Sequence, residues 1–63
     1  MNKKETVSEI SEHAGSFHVS NMCKKAERGD ISLDKALHET ASHATTHYAK
    51  SLATKAINQQ GNL

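Results

Sequence analysis

Apolar side chains recur along the chain at helical spacings, in two blocks. In the first, Val7, Ile10, Ala14 and Phe17 step by three, four and three, which lays one seam along a helix. Beyond Phe17 the seam rotates: continuing it would bring Asn21 and Lys24 inward, whereas the apolar residues are Val19, Met22, Cys23 and Ala26. The change of face follows Gly15-Ser16, a pair that costs about 1 kcal/mol of helix stability relative to alanine. The pattern predicts a first helix over about 6–28 that is bent or broken near Gly15-Ser16. No proline enforces a break, so one bent helix is the simpler reading.

In the second block Leu33, Leu37, Ala41, Ala44, Tyr48 and Leu52 form one stripe, and Ala36, Ala49, Ala53 and Ala56 add helix preference. This predicts a second helix over about 33–59, near 40 Å long at the usual rise, with Gly61 as its stop and a frayed tail at 60–63. Between the two lies the turn 29–32, in Arg28-Gly29-Asp30-Ile31-Ser32-Leu33. Gly29 can leave the first helix in the left-handed region. Ser32 reads as an N-cap, with Asp34 at the positive end of the helix dipole and Ile31 placed to staple onto Ala36. At the other end, Thr6-Val7-Ser8-Glu9 has capping-box spacing, and Asn2-Lys3-Lys4-Glu5 offers a weaker start one turn earlier. No internal repeat or low-complexity tract stands out.

The chain has 63 residues, of which 35% are hydrophobic, and eight of those are alanine. Bulky apolar material is therefore scarce for a self-sufficient core, and the lone Cys23 supplies no disulfide framework. This arithmetic turns the helix pattern into an expectation of assembly. The chain, a single domain over 1–63, is read as all-α: an antiparallel helical hairpin that dimerises into a four-helix bundle. Val7, Ile10, Phe17, Leu33, Leu37, Tyr48 and Leu52 form the core and oligomer stripe. The second apolar edge of the last helix, Ala49, Ala53, Ala56 and Ile57, is a candidate strip for a partner.

Charge narrows the function classes. The net charge is +1 and aromatics are 3% of the chain, which fits poorly with a protein built to grip nucleic acid. Lys24, Lys25 and Arg28, with Lys50 and Lys55, are the residues that would contact a phosphate backbone. The plainer role, for the C-terminal Lys50 and Lys55, is charge pairing with Glu5, Glu9 and Glu12 across antiparallel helices. No stretch approaches the length of a membrane span, no secretory signal pattern opens the sequence, and a single unpaired cysteine suits a reducing interior, so a cytoplasmic location is expected. Nothing resembles a catalytic arrangement, a phosphate-binding glycine loop or a cofactor motif, so no catalytic residue, enzyme activity or cofactor is expected.

Five histidines in so short a chain is the least ordinary feature. Glu39, His43 and His47 stand four apart on the expected second helix, a spacing from which a divalent ion such as zinc can be held. The plainer reading is a solvated polar face, and His13, His18 and His38 have no such pattern. Histidines near an interface would also make the assembly acid-sensitive.

The hairpin pattern and the closing Gln59-Gln60-Gly61-Asn62-Leu63 resemble the plasmid copy-number regulators of the Rop type in architecture. Through its size, charge balance, helical content and the segment Arg28-Gly29-Asp30-Ile31-Ser32-Leu33, the chain also resembles the small accessory proteins that lambda-type phages encode between exonuclease and excisionase. That resemblance implies expression early in lytic growth, in the host cytoplasm. It further implies influence on the host cell cycle or on lytic development through contact with a host or phage protein. The alternative is a nucleic-acid-binding regulator using the basic residues above.

Overall fold

The computed structural model describes residues 1–60, which fold into four helices: α1 (Lys3–His13), α2 (Phe17–Glu27), α3 (Leu33–His43) and α4 (His47–Gln60). The all-α reading holds. Asn2 opens α1 with a full capping box: its side chain accepts from the Glu5 amide at 2.8 Å, and the Glu5 carboxylate accepts from the Asn2 amide at 3.0 Å. Thr6, the stronger start on spacing, lies instead inside α1, buried, with its hydroxyl donating to the Asn2 carbonyl at 2.9 Å. The turn at Gly29 forms as its chemistry suggests. Gly29 has φ +86, its amide donates to the Ala26 carbonyl, and the Asp30 amide donates to the Lys25 carbonyl, the two bonds of a Schellman motif. Ser32 then caps α3, its hydroxyl accepting from the Lys35 amide at 3.0 Å.

Neither long helix survives intact. The first breaks at Ala14-Gly15-Ser16 rather than bending: Gly15 takes φ +69 and Ser16 caps α2. The second, expected as one unbroken rod from 33 to 59, breaks at Ala44-Thr45-Thr46. There Ala44 turns extended (φ −63, ψ 137) and the Thr46 hydroxyl caps α4 by accepting from the Ala49 amide at 3.2 Å. The stripe through Ala44 and Tyr48 disguised this break, although two adjacent β-branched residues with capping hydroxyls are a weak link in a helix. The expected stop at Gly61 and the rest of the tail lie outside the described residues.

The breaks let the chain close its apolar faces on itself. Val7, Ile10, Val19, Cys23, Ala36, Leu37, Ala49 and Ala53 are completely buried, and Ile31, Leu33, Leu52 and Ile57 pack around them. The radius of gyration is 10.1 Å, close to the ~10.6 Å of a self-contained fold of this length. A second copy is therefore not needed to cover two bare rods. Of the strip expected to face a partner, Ala49, Ala53 and Ala56 are instead buried in the core, and Ile57 is partly buried against it. The turn at 44–46 rotates α4 so that its alanine edge faces inward. Phe17 is 89% exposed and Tyr48 49% exposed, so neither belongs to the core within this chain.

The four helices are two versions of one helix–turn–helix unit, displaced by 30 positions from Lys3 to Leu33 and from Phe17 to His47. Burial follows the displacement: Thr6, Val7, Ile10, Val19, Cys23 and Ala26 in the first unit match Ala36, Leu37, Thr40, Ala49, Ala53 and Ala56 in the second. α1 packs on α2 and α4, α3 packs on α4 and α2, and α1 meets α3, so exchanging the two units leaves the pattern of helix contacts unchanged. The sequence conceals this repeat because few residues are identical between the units, among them Glu9 and Glu39, His13 and His43, and Ala14 and Ala44. The units share a burial pattern more than residue types.

Candidate functional site: a histidine and carboxylate cluster at the loop end

The turns 14–16 and 44–46 meet at one end of the molecule. The Thr45 hydroxyl donates to the Gly15 carbonyl at 3.0 Å, and the Thr46 hydroxyl lies 3.4 Å from the His13 carbonyl, so threonines of the second unit satisfy carbonyls left open where α1 ends. Gly15 makes room for them: a Cβ there would stand 2.8 Å from Thr46 Cγ2 and 3.0 Å from Thr45 Oγ1. The interlocked turns fix how α2 and α4 emerge, and thereby what lies beside the ends of α1 and α3.

Two related constellations result. In one, His18 from the first turn of α2 donates from Nε2 to Glu39 Oε1 at 2.9 Å, and His43 Nε2, one helical turn beyond Glu39, lies 4.0 Å from the same oxygen. The His18 and His43 rings meet edge to face with centroids 5.0 Å apart. In the other, Tyr48 from the first turn of α4 donates its phenol to Glu9 Oε2 at 2.6 Å, and His13 Nε2 lies 3.6 Å from that oxygen. His13 and Tyr48 also meet edge to face, at 5.7 Å. The 30-residue displacement carries one constellation onto the other, with His18 and Tyr48 at equivalent positions. The charge environments match these contacts. The His18 hydrogen bond, helped by nearby His43, holds the Glu39 carboxyl below its ordinary range, and donation to Glu9 holds the Tyr48 phenol above its own.

The expected trio Glu39, His43 and His47 is not assembled. The break at 44–46 takes His47 out of register with α3, and its Nε2 shares a hydrogen bond with Ser51 Oγ at 3.3 Å. His18 takes its place from another helix, a contact across 21 positions that periodicity does not reveal. The signal that could have found it is the repeat, which pairs His18 with Tyr48 and Glu39 with Glu9. His38 is exposed on α3.

The remaining candidates are scattered. Lys24, Lys25 and Arg28 are exposed toward the end of α2, where Arg28 Nε pairs with Asp30 Oδ2 at 3.2 Å. Lys50 and Lys55 are exposed on α4, and α2 and α4 do not pack on each other. The expected charge pairing of the C-terminal lysines with Glu5, Glu9 and Glu12 is not among the ion pairs of the described residues. Lys3 Nζ and Asp34 Oδ1 instead pair at 2.8 Å between α1 and α3. Cys23 is buried beside the Thr40 hydroxyl at 3.8 Å, and burial pushes its thiol above the ordinary range, so it is held as a protonated core residue. A concave space of about 510 Å³ is an open trough along α4 bordered by His47, Lys50, Ser51, Thr54, Lys55, Asn58 and Gln59. No described helix is long and apolar enough to cross a membrane. Comparison with protein families, curated proteins and solved structures finds no match to this chain.

Proposed function

We propose that this chain is a small, non-enzymatic interaction protein that docks a protein partner at the end of the bundle carrying Phe17. The observation that supports this is the position of Phe17. A chain with one phenylalanine, and little bulky apolar material to spare, leaves that side chain 89% exposed in the first turn of α2. Burying it against a partner would contribute about 1.5–3 kcal/mol. Tyr48, half exposed at the equivalent end of α4, adds a second aromatic of the kind protein interfaces favour. A second copy of the chain is one such partner, and a homodimer joined through Phe17 is the form that self-association takes in this reading. The resemblance to early-region accessory proteins of lambda-type phages extends the proposal to contact with a host or phage protein during lytic development in the host cytoplasm.

The test is Phe17→Glu, which leaves the buried core untouched. Sedimentation and affinity capture are compared for wild type and variant, with circular dichroism confirming equal helix content. Self-association or a captured protein that is lost with Phe17→Glu supports the proposal; identical mass and identical captured proteins refute it. The nucleic-acid alternative is disfavoured because Lys24, Lys25 and Arg28 sit on a helix that does not pack on the one carrying Lys50 and Lys55. A gel shift that weakens steeply above about 50 mM salt would revive it.

A further inference from the structure

We propose that His18, Glu39 and His43 form a binding site for a divalent transition metal of the zinc class, which staples α2 of the first unit to α3 of the second. The ligand set is two imidazoles and one carboxylate, the donor types that zinc accepts together. One ligand atom from each residue lies within 4.8 Å of the other two, and the pairs measured to Glu39 Oε1 are 2.9 Å for His18 and 4.0 Å for His43. Donors about 2.0–2.1 Å from a tetrahedral zinc are spaced by about 3.3–3.4 Å, so these two separations straddle the required one. Small rotations of side chains that are 53%, 31% and 56% exposed for His18, Glu39 and His43 bring them to it. The backbone contribution is already in place: Glu39 and His43 are one turn apart on α3, and His18 is brought from α2 by the interlocked turns. Three protein ligands leave a fourth position facing solvent, open to water or to a donor from another molecule.

The other half of the molecule provides a comparison within the same chain. There the equivalent positions hold Glu9, His13 and Tyr48, so a phenol replaces one imidazole. A phenol becomes a strong metal ligand only on losing its proton, which donation to Glu9 makes harder, whereas a neutral imidazole offers a lone pair by a change of tautomer. Glu12 lies close to Glu9 and His13, but that set has one imidazole and two carboxylates on one helix, which suits zinc less well. The residue at position 18 or 48 thus decides which half takes the metal.

Zinc chloride titration followed by calorimetry, with cobalt(II) absorption as a spectroscopic check, tests the assignment. Wild type is expected to bind one equivalent, with intense visible bands for cobalt and a raised unfolding temperature on zinc addition. His18→Tyr, which copies the arrangement already present in the other half, is expected to keep the fold and weaken zinc at least tenfold. His47→Ala is expected to bind as wild type, and Tyr48→His to raise the stoichiometry to two. No binding to wild type, undiminished binding to His18→Tyr, or loss of binding in His47→Ala would each overturn the site. A stoichiometry of one in Tyr48→His would overturn the role given to positions 18 and 48.

Discussion

Replacing Gly15 with alanine puts the interlock of the two turns to a quantitative test, with Gly29→Ala as its control. Both glycines sit in the left-handed region, at φ +69 and φ +86, so an alanine at either site carries a backbone cost of about 1–2 kcal/mol. Part of this, about 0.4–1 kcal/mol, is offset by the reduced freedom of the unfolded chain. At Gly29 nothing else opposes the change, because no atom lies within 4 Å of the added carbon. At Gly15 the new carbon meets Thr46 Cγ2 at 2.8 Å and Thr45 Oγ1 at 3.0 Å. Overpacking adds about 1–3 kcal/mol, and any shift that relieves it strains the threonine bonds to the Gly15 and His13 carbonyls. The expected losses are about 1 kcal/mol for Gly29→Ala and about 2–4 kcal/mol for Gly15→Ala. A domain of this size holds about 3–9 kcal/mol in all, and about 1 kcal/mol shifts its melting temperature by about 7 °C. Gly15→Ala should therefore melt roughly 7–20 °C below Gly29→Ala. Urea denaturation gives the free energies directly, and Thr46→Ser, which removes the colliding methyl, should recover part of the loss when combined with Gly15→Ala. A Gly15→Ala protein as stable as Gly29→Ala would refute the reasoning.

Other parts of the structure make further demands. Ala53→Arg forces a charge into a fully buried site and should cost more than about 3 kcal/mol, unfolding much of the population, whereas Ser51→Arg on the exposed face should stay within about 0.5 kcal/mol; circular dichroism melts distinguish them, and equal stability would mean that the alanine edge is not core. Cys23 should resist thiol reagents at neutral pH and react only as fast as the protein unfolds, so prompt stoichiometric labelling of native protein would contradict its burial. Tyr48 titrates above its ordinary range in the fold, so the stability gained from its bond to Glu9 is present below about pH 10 and lost as pH rises through the folded value. Glu39 titrates below its ordinary range because of His18, so its contribution is present above about pH 4.3 and lost as pH falls through the folded value. Phenolate absorbance and melts at the two extremes check these signs; a Tyr48 that ionises as free tyrosine does, or a His18→Ala protein whose acid arm matches that of wild type, would contradict them.

Local chemistry in the sequence identified the turn around Gly29, the cap at Ser32 and, as one of two candidate starts, Asn2, but not the break at Ala44-Thr45-Thr46. Asn2 with Glu5, Gly29 with its neighbours and Ser32 act through atoms within a few residues of each other, so their chemistry is local and legible. The apolar seam of Val7 and Ile10 was legible for the same reason. Tertiary structure decided which side of each helix faces inward. Each residue of an α-helix turns the face by about 100°, so a three-residue interruption at Ala44-Thr45-Thr46 redirects everything after it. That redirection buried the alanine edge of α4, left Tyr48 half exposed and moved His47 away from Glu39 and His43. With the break at Ala14-Gly15-Ser16, the folding back of the chain brings together the contacts that count most for the candidate site, His18 with Glu39 and Tyr48 with Glu9, across 21 and 39 positions. Periodicity describes a single helix and carries no information on which helices meet, so these pairs became visible only once the chain had folded back on itself.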